Sequence, residues 1–314
     1  MKRAPLTYFT FLILCSPLVC AQSWQAPLLQ DHPMVGRIYD LNQQRVISEA
    51  ELINQLRLTT LILIGEKHDN NDHHQLEARL IKALTRGLNK PAIVFEMLTD
   101  KQQPQLDTLS ANESLSRMKT RLQWEQQSWP WPDYGPLFQL TRQNMAPLIG
   151  GNISRQTIRA IYKREPNALS DGRFSTLATI ADNVRQQVHS EIYRNHCELM
   201  PRDTLKPMVN VQLARDASMA SAMLDNRTDQ GAVLIAGGFH VRKDLSVPLH
   251  LTARQPSMSQ AVVLLAEVQP GKTSPADYSN KQQADYLWLT PKQNDIDYCA
   301  QMRAQMEQKA AKRS

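Results

Sequence analysis

The sequence predicts an α/β fold with a central, mostly parallel sheet flanked by helices. Short apolar runs alternate with longer helical stretches, which is the pattern of strand–helix–strand units. Each run also ends in a glycine or a polar residue. The runs predicted as strands are Thr60–Gly65, Pro91–Glu96, Met145–Ile149 and Ala232–Ala236. Because open parallel sheets bind ligands beyond the carboxyl ends of their strands, we expect the functional site at that edge.

Further elements are predicted on either side of these strands. They are a hairpin over Gly36–Ile47, a helix from Ser48 to Leu58, a helix over Asp72–Leu88, and strands over Ala261–Val268 and Tyr286–Leu289. The first of these helices opens with a sequence that resembles a capping box, Ser48 followed three residues later by Glu51. The charged tail after Gln301 is expected to fray.

Two helical insertions are expected within a single α/β domain that covers residues 22–314. The smaller insertion covers about residues 100–140 and carries a helical region from Gln103 to Phe138. The larger covers residues 154–228, with helices predicted over Ser154–Lys163, Ser175–Glu198 and Lys206–Asn226. So many helical residues without a strand predict a lid-like subdomain near the same edge of the sheet.

The first 21 residues have the pattern of a secretory signal. Lys2 and Arg3 form the charged start, Leu6–Leu14 forms the apolar middle, and Val19-Cys20-Ala21 is a small-residue cleavage site. The protein is therefore expected to be exported. Cys20 leaves lipid anchoring open as a second outcome, although the valine before it is bulky for a lipobox.

The charge distribution does not favour nucleic acid as a partner. The formal charge is +6, and removal of Lys2 and Arg3 with the signal leaves 6 − 2 = +4. Lysines and arginines are dispersed among acidic residues, without the basic run that follows a phosphate backbone.

Cleavage after Ala21 leaves two cysteines, Cys197 and Cys299. These residues could pair in an oxidising compartment, but a chain of this length does not require a disulfide to fold. We therefore expect two thiols, one of them partly buried.

Carboxylates and imidazoles follow three of the predicted strands. Glu66 and His68 follow the first strand, Glu96 ends the second, and His240 follows the fourth. If they meet across the sheet edge, they suit a divalent transition metal such as zinc, manganese or iron, or acid/base chemistry without a metal. The alternative is that these groups only satisfy backbone amides of the loops. Four polar residues at equivalent positions favour a functional cleft.

Other candidate residues lie on the predicted insertions and on the first long helix. The aromatic segment Trp129–Tyr134 is predicted as a proline-stiffened loop that either lines a site for a planar ligand or packs beneath the smaller insertion. Arg215 and Asp216 are expected to form a buried or lid-facing ion pair, and the alternative is a charged helix surface. His73 and His74 are adjacent on a helix and cannot share a face, so one of them is expected to be a helix-start residue.

Several separated motifs resemble those of the ChaN family of haem-binding, iron-regulated lipoproteins. The resemblance runs in order from about Gly36 to Leu289. It is carried by Gly65-Glu-Lys-His-Asp69 with Asp72-His-His74, Phe95-Glu96, Trp131–Pro136, Gly150-Gly-Asn152, His196-Cys197, Gln212–Ala220 and Ala236–Arg242. The family belongs to the larger Tiki/TraB/erythromycin-esterase-like group, whose peptidase members hold a metal with two Gly-x-x-His motifs and a glutamate. Here Gly65–His68 and Gly237–His240 fit Gly-x-x-His, and Glu96 fits the glutamate.

The resemblance implies a bacterial cell-envelope protein that binds haem and assists haem or iron acquisition. It further implies a homodimer that holds stacked haems, either periplasmic or attached to the outer membrane through a lipid on Cys20. Haem iron is held by His, Cys, Met or Tyr side chains. The candidate ligands are Tyr134, His196 and His240, and Trp131 and Arg215 complete the expected cofactor site.

The wider group implies a second function, that of a metal-dependent hydrolase acting as a peptidase or esterase. In that reading His68, Glu96 and His240 hold the metal, and Glu66 activates water. Phe239 departs from the small residue expected before the second histidine. Its ring would narrow a metal-centred cleft and offer a stacking face to a porphyrin.

Overall fold

The computed structural model describes residues 23–88, 90–124 and 129–311. The predicted signal segment, with Cys20, lies outside the described residues. The strands are β1 (Ile38–Asp40), β2 (Arg45–Ile47), β3 (Leu61–Glu66), β4 (Ala92–Thr99), β5 (Leu148–Asn152), β6 (Ala232–Gly237), β7 (Gln260–Glu267) and β8 (Tyr286–Thr290). The α-helices are α1 (Glu49–Leu56), α2 (Asn71–Leu84), α3 (Gln103–Asp107), α4 (Leu115–Arg121), α5 (Trp131–Gln143), α6 (Arg155–Tyr162), α7 (Asp182–Asn195), α8 (Lys206–Asn226), α9 (Val247–Arg254) and α10 (Tyr298–Ala311).

The strands form one sheet in the order β2-β1-β8-β7-β3-β6-β4-β5. All pairings from β8 to β5 are parallel, whereas β1 pairs antiparallel with both β2 and β8. The predicted α/β class with a mostly parallel sheet is therefore confirmed. Its division into one domain with two helical insertions stays a prediction.

Both faces of the sheet are apolar because helices cover both. Along β3, Ile62 and Ile64 pack on the face covered by α2 and α5, while Leu61 and Leu63 pack on the face covered by α8. This alternation is the period of two that a strand imposes on its side chains. A strand buried on both faces holds its carboxyl end rigidly, and β3 ends at the predicted site.

The third predicted strand, Met145–Ile149, is displaced along the chain. Strand β5 begins at Leu148 and includes the Gly-Gly-Asn sequence that was expected in the loop beyond the strand. A Cβ atom on Gly150 would lie 2.2 Å from the carbonyl oxygen of Thr99. Glycine therefore permits the close approach of β5 to the end of β4.

Two further predictions, one of a helix and one of a loop, are also wrong. The predicted helix Ser175–Glu198 is a 3₁₀ segment over Gly172–Thr179 followed by α7, because Ile180 between them is extended, with ψ 117°. The predicted aromatic loop instead leads into α5, which begins at Trp131. Proline in the first turn of a helix leaves no needed donor missing, so Pro132 starts this helix instead of stiffening a loop.

The C-terminal region forms helix α10, which contradicts the expected frayed tail. Cys299 in its first turn forms a disulfide with Cys197, just beyond the end of α7, so the expectation of two thiols is wrong. The two residues are 102 positions apart in sequence, and their Cα atoms lie 5.3 Å apart. Tyr298 further donates a hydrogen bond to Asp69 in the loop after β3.

None of the helices in the described part of the chain combines the length and apolarity that crossing a bilayer requires.

Candidate functional site

A cavity of about 580 Å³ lies beyond the carboxyl ends of β3, β4 and β6. Side chains from these three strand ends form its floor, and helices α7 and α8 with Trp129 form its walls. We call this space the site cavity. The sequence predicted that Glu66, His68, Glu96 and His240 meet here, and the structure brings all four to the site cavity.

His68 occupies the more open side of the site cavity. Its Nδ1 lies 2.8 Å from Oε1 of Glu66, and its Nε2 lies 3.9 Å from Oε2 of Glu96. The ring lies against the indole of Trp129, with centroids 4.5 Å apart. Its side chain is 35% exposed. Burial disfavours the charged imidazole, but the Glu66 carboxylate outweighs this effect and the pKa of His68 is raised.

His240 occupies the buried side. Its Nδ1 lies 2.6 Å from Oδ1 of Asp216 and its Nε2 lies 3.4 Å from Oε1 of Glu96. Burial opposes the charged imidazole, but the carboxylates of Glu96 and Asp216 raise the pKa of His240. Burial also raises the pKa of Asp216 to about 6.

The expected Arg215–Asp216 ion pair is replaced by two other interactions. Asp216 pairs with His240, whereas Nη1 of Arg215 lies 4.0 Å from Oε1 of Glu96. Neighbouring residues on a helix point in directions about 100° apart, so they contact different parts of the site. Nε of Arg215 is buried and has no hydrogen-bond partner.

Glu96 lies between the two histidines. Its Oε2 accepts a hydrogen bond of 2.8 Å from the backbone N–H of Gly237. Burial alone would raise the pKa of this carboxyl, but His240 and His68 lower it, so the carboxylate form is favoured. A Cβ atom on Gly237 would lie 2.6 Å from Nε2 of His68, so glycine keeps open the space beside that nitrogen.

The structure separates the other predicted cofactor residues from the site cavity, except for Arg215. Tyr134 is fully buried beneath the floor, where its hydroxyl donates to Oε1 of Glu66 over 2.8 Å. Trp131 packs against the core and contacts the Trp124 ring. His196 follows α7 and its Nδ1 bonds to the carbonyl of Ile192. These three residues do not line the site cavity.

A second group of polar residues lies below the floor, on the inner face of α2. Oε2 of Glu66 lies 2.9 Å from Nε2 of His74, and Glu77 lies one helical turn further along. His73 is the residue with a structural role at the start of the helix, because its Nδ1 accepts a hydrogen bond from the backbone N–H of Lys67. Glu77 was not among the residues predicted from the sequence, although the spacing of His74 and Glu77 places both on one face of α2.

The residues beyond β3, β4 and β6 give this α/β protein a cavity with two imidazoles at one edge of the sheet. The sequence model of the family described as haem-binding uptake, Tiki superfamily, ChaN matches residues 52–251. The chain belongs to this family.

Solved structures with a similar fold include one described as cofacial haem binding to ChaN of Campylobacter jejuni. It is 25% identical, covers 80% of this chain and 95% of its own, and has a TM-score of 0.67. An erythromycin esterase, EreC, in its open conformation is 12% identical, with coverages of 80% and 95% and a TM-score of 0.44. The type III effector HopBA1 is 10% identical, with coverages of 77% and 92% and a TM-score of 0.41. No curated protein matches the chain.

Proposed function

We propose that this protein binds haem in the site cavity and takes part in haem or iron uptake. Membership of the ChaN family supports haem as the ligand. The observation that supports the site cavity as the haem site is a contact on one cavity wall. There the partly exposed imidazole of His68 lies against the flat ring of Trp129. Haem requires an iron ligand beside apolar, planar contacts, and these two residues supply them.

The residues at the site cavity fit a haem group in three respects. Gly237 leaves open the space beside Nε2 of His68, which a Cβ atom would fill. Trp129 and Phe239 offer aromatic faces to a porphyrin. Arg215 has a buried Nε without a partner, which suits a propionate carboxylate.

We assign the axial ligand to His68. Glu66 accepts a hydrogen bond from Nδ1 and so fixes the tautomer that leaves Nε2 free for iron. His240 is a poorer candidate because its side chain is only 7% exposed and its two nitrogens lie close to Asp216 and Glu96. Bound haem would supply an iron centre. Its transfer to a partner would depend on how open the His68 side of the site cavity remains.

The proposal extends to assembly and location. The Campylobacter protein is described as binding haem cofacially. By similarity, we propose that two copies of this chain hold stacked haems, and that export places the dimer in the cell envelope, in the periplasm or on a lipid anchor at Cys20. Light scattering of the mature chain with and without haemin tests assembly, since a mass that stays monomeric at saturation contradicts it.

Haemin titration of the mature chain, Gln22 onward, tests the proposed function. We expect saturable binding with a defined Soret shift. His189→Ala serves as the matched control for removal of a histidine side chain, because His189 lies on α7 and bonds to the backbone of Arg202. Tyr134→Phe and His196→Ala test the rival ligands, and unchanged spectra in both would remove them. Absence of saturable binding would overturn haem as the ligand.

A second candidate function, a metal-dependent hydrolase, is favoured by one observation. Nε2 atoms of His68 and His240 lie 3.9 Å and 3.4 Å from the two oxygens of the same Glu96 carboxylate. In this function the three residues hold the metal and Glu66 activates water. Metal bound by these three residues and ester or peptide hydrolysis should then both be lost in His68→Ala. Full hydrolytic activity in that variant would contradict it.

A further inference from the structure

Three ionisable side chains meet beneath the floor of the site cavity, away from solvent. Glu66, His74 and Glu77 are 4%, 8% and 0% exposed. One ligand atom from each, a carboxylate oxygen or an imidazole nitrogen, lies within 4.8 Å of the others. We call this group the inner cluster. Among the described residues, this is the one group of at least three His, Cys, Asp or Glu side chains whose ligand atoms lie this close together.

The inner cluster contains buried atoms without hydrogen-bond partners. They are Oε2 of Glu66, Nε2 of His74, and both carboxylate oxygens of Glu77. Nε2 of His74 lies 2.9 Å from Oε2 of Glu66, within ion-pair distance. Burying unpaired carboxylates is costly, so a further positive group is needed among them.

The surrounding structure directs these atoms toward one another. Glu66 ends β3, and its other oxygen, Oε1, is already occupied by Nδ1 of His68 and the hydroxyl of Tyr134. His74 and Glu77 lie three residues apart on α2, the spacing that lets an imidazole and a carboxylate on a helix share an ion. The Tyr134 ring contacts His74 edge-on, with centroids 5.0 Å apart, and limits its rotation.

We propose that the inner cluster binds one divalent transition metal ion, held by Glu66, His74 and Glu77. Two carboxylates offset the charge of a divalent cation, and the neutral imidazole adds a nitrogen ligand. This mixed nitrogen and oxygen set suits zinc, manganese or iron(II). The ion would fix Glu66, and through it the orientation of the His68 ring, without contacting the site cavity.

A shared proton is the competing occupant. Burial, together with the Glu66 carboxylate, raises the pKa of Glu77 well above its ordinary value when no ion is present. A protonated Glu77 could then donate to Glu66. The test must therefore separate an ion from a proton, and it must separate this site from haem binding.

Cobalt(II) titration of the mature, untagged chain provides the first measurement. We expect about one bound ion per chain and visible absorption bands typical of a site with nitrogen and oxygen ligands. Elemental analysis of the purified protein gives the native metal. A folded wild-type protein that binds no cobalt(II), manganese(II) or zinc(II) would overturn the proposal in favour of the proton.

Matched variants locate the ion. Glu77→Gln keeps the shape of the side chain and removes its charge, and we expect metal affinity to fall at least about tenfold. His250→Gln is the control, since His250 is a second buried histidine with an unpartnered Nε2, bonded through Nδ1 to Thr176. Unchanged affinity in Glu77→Gln contradicts the assignment. If that variant does not fold, cobalt(II) binding by His68→Ala, which lacks a ligand of the alternative metal site, still decides.

His68→Ala distinguishes this site from the hydrolase metal and from haem. Metal binding at the inner cluster should persist in that variant, while binding through His68, Glu96 and His240 would be lost. Haemin titration of the same samples is a separate measurement. The two proposals can therefore fail independently.

Discussion

His68 and His240 hold the same position in two Gly-x-x-His motifs, yet their surroundings differ. His68 is 35% exposed on its side chain, is held by Glu66 and lies against Trp129. His240 is 7% exposed and lies between Asp216 and Glu96. The first imidazole can reach a ligand, whereas the second mainly neutralises buried carboxylates.

The difference arises from the elements packed above each strand end. Helix α8 covers β6 and supplies Asp216, which buries His240. Beyond β3, a loop runs to Asn70, the N-cap of α2, and His68 in this loop lines the site cavity. A shared motif therefore does not imply a shared role.

Removal of His240 gives the largest expected effect on stability. His240→Ala leaves Asp216 and Glu96 buried without their common partner, and we expect the free energy of unfolding to fall by about 3–5 kcal/mol. His68→Ala should cost only about 1–2 kcal/mol, since Tyr134 still donates to Glu66. Urea denaturation of both variants measures the difference. Equal losses would contradict the assigned division of roles.

The two glycines of the second motif sharpen the comparison. A Cβ atom at Gly237 would lie 2.6 Å from Nε2 of His68, so Gly237→Ala should displace that ring and weaken haem binding at least about tenfold. At Gly238 the nearest atom is a terminal methyl of Leu264, at 3.1 Å, which can move. Haemin titration should therefore show near wild-type affinity for Gly238→Ala. The reverse order would show that His68 is not at the haem.

The pH dependence of haem binding tests the state of the exposed histidine. The pKa of His68 is raised from 6.5, so the protonated form persists to higher pH than usual. Only the neutral imidazole can bind iron, and affinity should therefore fall about tenfold per pH unit below the raised pKa and level off above it. Titrations across this range measure the profile. Affinity that rises toward acid would contradict an axial His68.

Arg215 gives the smallest expected effect. If its guanidinium pairs with a propionate at the partly open site, Arg215→Gln should weaken haem binding by only about three- to tenfold. The Soret spectrum should stay unchanged, since the iron ligand is intact. A changed spectrum would assign Arg215 a role in positioning the iron ligand.

Local sequence patterns predicted the site residues that lie at or just beyond the ends of the strands. Glu66, Glu96 and the two histidines follow apolar runs, and parallel topology brings such residues to one edge. The predicted bounds of the strands were close because buried parallel strands are nearly continuous apolar runs. Strand β5 is the exception, because its glycine residues were predicted to lie in a loop.

The remaining features depend on contacts distant in sequence. Asp216 lies on a helix, and no local pattern shows that it pairs with His240 and not with Arg215. Tyr134 was predicted to lie in a loop, because a proline such as Pro132 is common both in loops and in the first turn of a helix. The Cys197–Cys299 disulfide joins residues 102 positions apart, a contact that only the path of α10 creates.

Side-by-side haemin titrations of the wild-type mature chain, His68→Ala and His240→Ala test the central claim most directly. We expect saturable binding by the wild type and loss of the Soret shift in His68→Ala. In folded His240→Ala the shift should remain, even if that protein is less stable. A Soret shift that survives in His68→Ala and disappears in folded His240→Ala would contradict the account.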